Sequence, residues 1–154
     1  MKIIYYGFHA DYLSIVGAAL HIGIIKEDFN PDMEVLHRLP YCHPGLIKPD
    51  GVLHFIGLDE MYHEIYIMGC RKHFHIIRKV QTHVQQIFHI GDGLYYVNAT
   101  KWEGIPLRLG KRLYRWRMTR KWGERLIVNG IRRVFPYLVK QVHEVKSRLT
   151  EDEK

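Results

Sequence analysis

A chain of 154 residues, 47% hydrophobic and 25% charged, has the make-up of one globular domain. At that length folding buries about two-thirds of the unfolded surface, so neither disulfides nor a structural metal are required. No apolar run approaches the roughly 20 residues of a membrane span, the start Met1-Lys2-Ile3-Ile4-Tyr5-Tyr6 lacks the apolar core of a secretory leader, and Cys42 and Cys70 are too few for a disulfide framework. A cytoplasmic protein with no membrane segment is the expectation.

The net charge of +7 is concentrated. Lys101 to Arg133 holds eleven basic residues against Glu103 and Glu124, a balance of +9, while the remainder is close to neutral. Such asymmetry favours anionic partners without choosing among phosphates, nucleic acid and an acidic protein face.

In chain order, Lys2 to Tyr6 reads as a buried strand, Gly7-Phe8-His9-Ala10-Asp11 as a tight turn, and Tyr12 to His21 as a helix rich in small residues. This is the opening of a βαβ unit, and the turn after such a strand is where α/β sheets usually bind ligands. Asp11 is the expected helix N-cap. Asn30-Pro31-Asp32 predicts a second, short helix capped by Asn30 and reaching Arg38. Leu39 to Gly51, with three prolines and two glycines, reads as a surface loop.

Val52 to Ile56 and Glu64 to Met68 predict an edge hairpin turning through Gly57 to His63. Its carboxylates Asp59 and Glu60 are expected to be solvated turn formers. Phe74, Ile77, Val80 or Gln81, Val84 and Ile87 recur at helical spacing and predict one face on the sheet. Gly91-Asp92-Gly93 ends that helix. Leu94 to Val97 reads as a strand, and Arg125 to Val128 as a further short parallel strand. Pro136 is expected to start the last helix, with Leu138, Val142, Val145 and Leu149 facing the sheet and Thr150 to Lys154 frayed. The sum is one domain over residues 1–154: a three-layer α/β/α fold with a mostly parallel sheet of about five strands and one edge hairpin.

Two places invite chemistry. The first turn lacks the glycine-rich and Gly-Lys-Ser/Thr patterns of a phosphate loop, yet Gly7, His9 and Ser14 lie where a ligand would be met. From Ile105 to Arg117, Leu109, Leu113 and Trp116 form an apolar stripe beside Arg108, Lys111, Arg112 and Arg115. Arg108 and Arg115 offer forks for a phosphate or carboxylate. The leading expectation is a small phosphorylated or otherwise anionic ligand held by Gly7, His9, Ser14, Arg108 and Arg115. The alternative is a nucleic-acid or acidic-protein face built from Lys111, Arg112, Arg117, Arg120 and Lys121, interleaved with Trp102, Tyr114, Trp116 and Trp122. The histidines fall into no ligand spacing, adjacent Cys42 and His43 suggest no nucleophile, and no cofactor or metal is expected. His21, at the end of the first helix, suits a structural role.

An ordered set of segments resembles an uncharacterised bacterial family, the domain-of-unknown-function family 3189. It comprises Tyr5-Tyr6, Ala18-Ala19-Leu20-His21-Ile22-Gly23, Leu39-Pro40-Tyr41, Gly57-Leu58-Asp59-Glu60, Tyr66 to Gly69, Arg108-Leu109-Gly110, Arg115 and the helix around Tyr137. The family's first turn resembles Gly-Gly-x-His-Ser-Ser. Here the matching stretch is His9-Ala10-Asp11-Tyr12-Leu13-Ser14, in which only Ser14 agrees, while Lys111 stands for a second glycine and Tyr114 for a serine. The resemblance implies a shared scaffold and no established activity.

Overall fold

The computed structural model describes residues 1–42, 49–89 and 93–152. His43, Gly91 and Asp92, which figured in the sequence reading, lie outside them. The elements are β1 (Lys2–Gly7), α1 (Tyr12–His21), α2 (Met33–Arg38), β2 (His54–Leu58), β3 (Glu64–Gly69), α3 (Phe74–Ile87), β4 (Leu94–Asn98), α4 (Ile105–Tyr114) and α5 (Arg120–Asp152).

The described strands form one sheet in the order β2-β3-β1-β4. β1 is central and runs parallel to β3 and β4, while β2 pairs antiparallel with β3 as the expected edge hairpin. Strand residues alternate between faces. Ile3, Tyr5, Ile65, Ile67 and Val97 pack with α1 and α5 in the larger core, whereas Ile4 and Met68 pack with Tyr6, Tyr66 and Tyr96 beneath Phe74 and Ile77 of α3. Gly17 explains why α1 is rich in small residues, since a Cβ there would lie 3.0 Å from the Tyr5 ring. Among the described residues no helix is long and apolar enough to cross a membrane.

Several expectations are corrected. Arg125 to Val128 is not a fifth strand, and the last helix does not start at Pro136: both lie inside the 33-residue α5. Ile127, Ile131, Val134, Leu138, Val142, Val145 and Leu149 are all buried at helical spacing. Pro136 lies on the exposed side of the helix, away from the buried stripe, so the missing helical hydrogen bond falls on the solvent-facing side rather than in the core. Thr150 continues the helix, its hydroxyl donating to the Lys146 carbonyl.

α2 begins at Met33 behind Asp32 rather than after Asn30. The Asn30 carboxamide is taken by Arg132 of α5 at 3.0 Å instead of capping a helix. In α3 the inward face is only half apolar. Phe74 and Ile77 reach the sheet, but Gln81 follows, accepting from the Tyr96 hydroxyl and donating to Met68 sulfur. Val80, Val84 and Ile87 face outward.

α4 and α5 make a tight antiparallel hairpin because three glycines remove side chains from the contact. A Cβ on Gly123 would lie 2.5 Å from the Tyr114 nitrogen, on Gly110 2.8 Å from the Ile127 nitrogen, and on Gly130 2.8 Å from the Leu107 Cβ.

Candidate functional site

The three parallel strands end side by side, at Gly7, Gly69 and Asn98, and an open cleft of about 980 Å³ lies beyond them, bounded by α4. It sits outside the carboxyl ends of the strands, the usual ligand position in such sheets. The main chain fixes its floor: Cys70 N donates to the Gly7 carbonyl at 3.0 Å, Arg71 N to Phe8 at 2.9 Å, and Ala99 N to Tyr6 at 3.0 Å. Gly7 is there for space, since a Cβ would stand 2.7 Å from Thr100 Cγ2 and 3.0 Å from Ser14 Oγ.

Of the residues expected to hold a ligand, Gly7, His9, Arg108 and Arg115 line this one cleft, and so do Lys111 and Arg112. Segments a hundred residues apart in sequence thus meet, as the ligand reading required. Ser14 does not join them. It is wholly buried beneath the turn and outside the cleft lining, its Oγ without a hydrogen-bond partner among the described residues. Of the nucleic-acid set, Arg117, Arg120 and Lys121 lie away from the cleft, with Arg120 stacked 4.9 Å over Tyr114 and 3.4 Å from Glu124.

Asp11 precedes α1 but makes no side-chain cap. Its carboxylate turns to Lys111 Nζ at 2.6 Å, and the same ammonium lies 2.5 Å from Glu103. Lys111 is therefore spent on two carboxylates and is not a free surface cation. Burial pushes the Asp11 carboxyl up against the opposing pull of Lys111. Burial also works to lower the Lys111 ammonium, and the paired charges of Asp11 and Glu103 outweigh it, so its pKa is raised. With Lys111 neutralised, the field belongs to the arginines. Five basic and two acidic side chains line the cleft, a balance of +3. Arg71 at its rim, in left-handed backbone with φ of 44°, pairs with Asp50 at 2.8 Å.

The only thiol in the lining is a poor nucleophile. Cys70 Sγ donates to the Gly7 carbonyl at 3.2 Å, and burial raises its pKa. Among the described residues no group of three or more His, Cys, Asp or Glu is placed to hold a metal ion.

A second polar constellation escaped the sequence reading. Asp59 is not a solvated turn former: it is nearly inaccessible and accepts from Met61 N, His63 N, His63 Nδ1 and His21 Nε2 at 2.9, 2.8, 3.0 and 3.2 Å. His21 in turn accepts from the Tyr5 hydroxyl through Nδ1 at 2.7 Å. Burial raises Tyr5, so its proton stays, and burial lowers His21 to about 4 despite Asp59, so the ring is neutral with its proton on Nε2. Backbone and side-chain donors hold the Asp59 carboxyl below its ordinary value although burial acts to raise it. The network ties α1, β1 and the β2–β3 turn together at the end of the sheet opposite the cleft. Asp59 beside Glu60 in the sequence gave no sign of it, because its partners lie 38 and 4 residues away.

The chain belongs to the family described as a protein of unknown function (DUF3189), which matches residues 2–147. No curated protein and no solved structure shows significant similarity to it.

Proposed function

We propose that the protein binds a small phosphorylated or otherwise anionic ligand in the cleft between the β1–α1 turn and α4. The observation that carries this reading is the convergence of Arg108, Arg112 and Arg115 on a cleft that also takes in Gly7 to His9. Guanidinium forks pair with phosphate or carboxylate in two parallel hydrogen bonds. Of the two carboxylates nearby both contact Lys111, while Glu103 also lies 3.9 Å from Arg108, which leaves Arg112 and Arg115 without a carboxylate partner among the described residues. The first turn contributes shape more than attraction, since Asp11 lies beside it and Ser14 is sealed below. Among the described residues no group of three or more His, Cys, Asp or Glu is placed to hold a metal ion, and burial raises the Cys70 thiol that lines the cleft; binding is the activity put forward.

Calorimetric titration with inorganic phosphate, pyrophosphate and a set of sugar phosphates tests the reading. A hydrogen bond to a charged group contributes about 1.5–3 kcal/mol, so Arg108→Ala and Arg115→Ala should each weaken binding by about tenfold or more, and Lys121→Ala, remote from the cleft, should not. Absence of binding by the wild type across the set, or arginine variants that bind as tightly as wild type, refutes it.

A further inference from the structure

The outer surface of the α4–α5 hairpin presents a second feature, independent of the cleft. Ile105 and Leu109 lie one turn apart on the exposed side of α4, and Trp116 follows, exposed, in the connection after the helix ends at Tyr114. The connection carries Met118 at 96% exposure, and Trp122 opens α5 at 68%. Trp116, Met118 and Trp122, large side chains left open to water at the connecting end of the hairpin, mark an interaction surface.

Its surroundings are cationic. Arg117 and Lys121 are exposed, lie away from the cleft and make no ion pair with any described residue. We propose that this hairpin end docks on an anionic phospholipid surface, with Trp116, Met118 and Trp122 entering the headgroup–acyl boundary and the basic side chains pairing with lipid phosphates. Interfacial binding of this kind combines exposed tryptophan and aliphatic groups with flanking Lys and Arg.

Charge excludes a second copy of the chain as occupant, because a twofold contact would press two cationic rims together. Nucleic acid would use the arginines and stack on the tryptophans, but would leave Ile105, Leu109 and Met118 in water. A bilayer surface satisfies both halves of the patch. It also requires no spanning helix, in keeping with the described helices.

The test is co-sedimentation of the full chain with vesicles of phosphatidylcholine alone and of phosphatidylcholine with phosphatidylglycerol, with tryptophan emission recorded in parallel. Partitioning into the anionic vesicles, with a blue shift and a decline as salt is raised, is the expected result. Each nearby cation adds about fivefold to such partitioning, so Arg117→Gln and Lys121→Gln should each reduce it by about that factor. Met118→Asp should reduce it by about tenfold or more, since burial of that side chain is lost. Met118 touches so little that its variant should melt with wild type, and Ile87→Asp on α3 serves as the control that leaves partitioning unchanged. Equal partitioning into both vesicle types, no partitioning, or full retention by Met118→Asp overturns the proposal. So does a polyuridine titration that competes the protein off vesicles while Met118→Asp binds the RNA as well as wild type.

Discussion

His21 gives a prediction whose size follows from its surroundings. The ring is wholly buried between Tyr5 and Asp59 and burial lowers its pKa to about 4, against about 6.5 for an unfolded-chain histidine. The folded-state value is depressed, so the unfolded state takes up the proton first, and stability is full above pH 6.5 and is lost as pH falls towards 4. The complete difference of about 2.5 pH units corresponds to about 3 kcal/mol, of which about 2 kcal/mol is lost between pH 7 and pH 5. His21→Gln keeps a carbonyl to accept from Tyr5 and an amide to donate to Asp59, but it does not titrate. Urea unfolding of both proteins at pH 7, 6 and 5 isolates this residue, because the other ten of the eleven histidines are common to the pair. Wild type should lose about 2 kcal/mol more than the variant over that range. A difference below about 0.5 kcal/mol would show that the His21 ring is not held neutral by burial.

Two further substitutions probe the frame around the cleft. Gly123→Ala gains about 1 kcal/mol of helix propensity, but its Cβ would press on Tyr114 backbone at 2.5 Å; overpacking of about 1–3 kcal/mol or more should dominate, lowering the melting temperature, and a raised one would contradict the close contact. Lys111→Met strands Asp11 and Glu103 beside each other and should cost about 2–3 kcal/mol in chemical unfolding; adding Glu103→Gln should recover part of it, and strict additivity of the two would show that the ion pairs are not coupled.

The legible parts were those decided by local chemistry. The apolar run from Lys2 to Tyr6, the small residues of α1, the hairpin turn after Leu58, the helical spacing from Phe74 and the apolar stripe from Leu109 each bias a few neighbouring residues, and the corresponding elements formed there. The run of basic residues from Lys101 to Arg133 was likewise plain, and the place of the β1–α1 turn in a βαβ unit pointed to the strand ends. Errors arose where the outcome depended on what lay opposite. Pro136 is tolerated inside α5 because it sits on the exposed side, while the buried stripe on the other side holds the helix to the sheet. Val80 and Val84 had the right spacing, yet α3 turned Gln81 to the sheet because Tyr96 and Met68 supply partners for its amide. Asn30 is a good cap by type, but Arg132 claims it.

The sequence by itself determined which segments prefer strand or helix and where positive charge accumulates, since both are properties of residues and their near neighbours. Only the tertiary structure decided that Arg108 and Arg115 join Gly7 and His9 at one cleft while Ser14 is sealed beneath it, that Lys111 is consumed by Asp11 and Glu103, and that Asp59 is the centre of a buried network. Each of these depends on contacts between segments far apart in the chain. Burial, which sets both the hydrogen-bond needs and the protonation of such groups, exists only after the segments have packed.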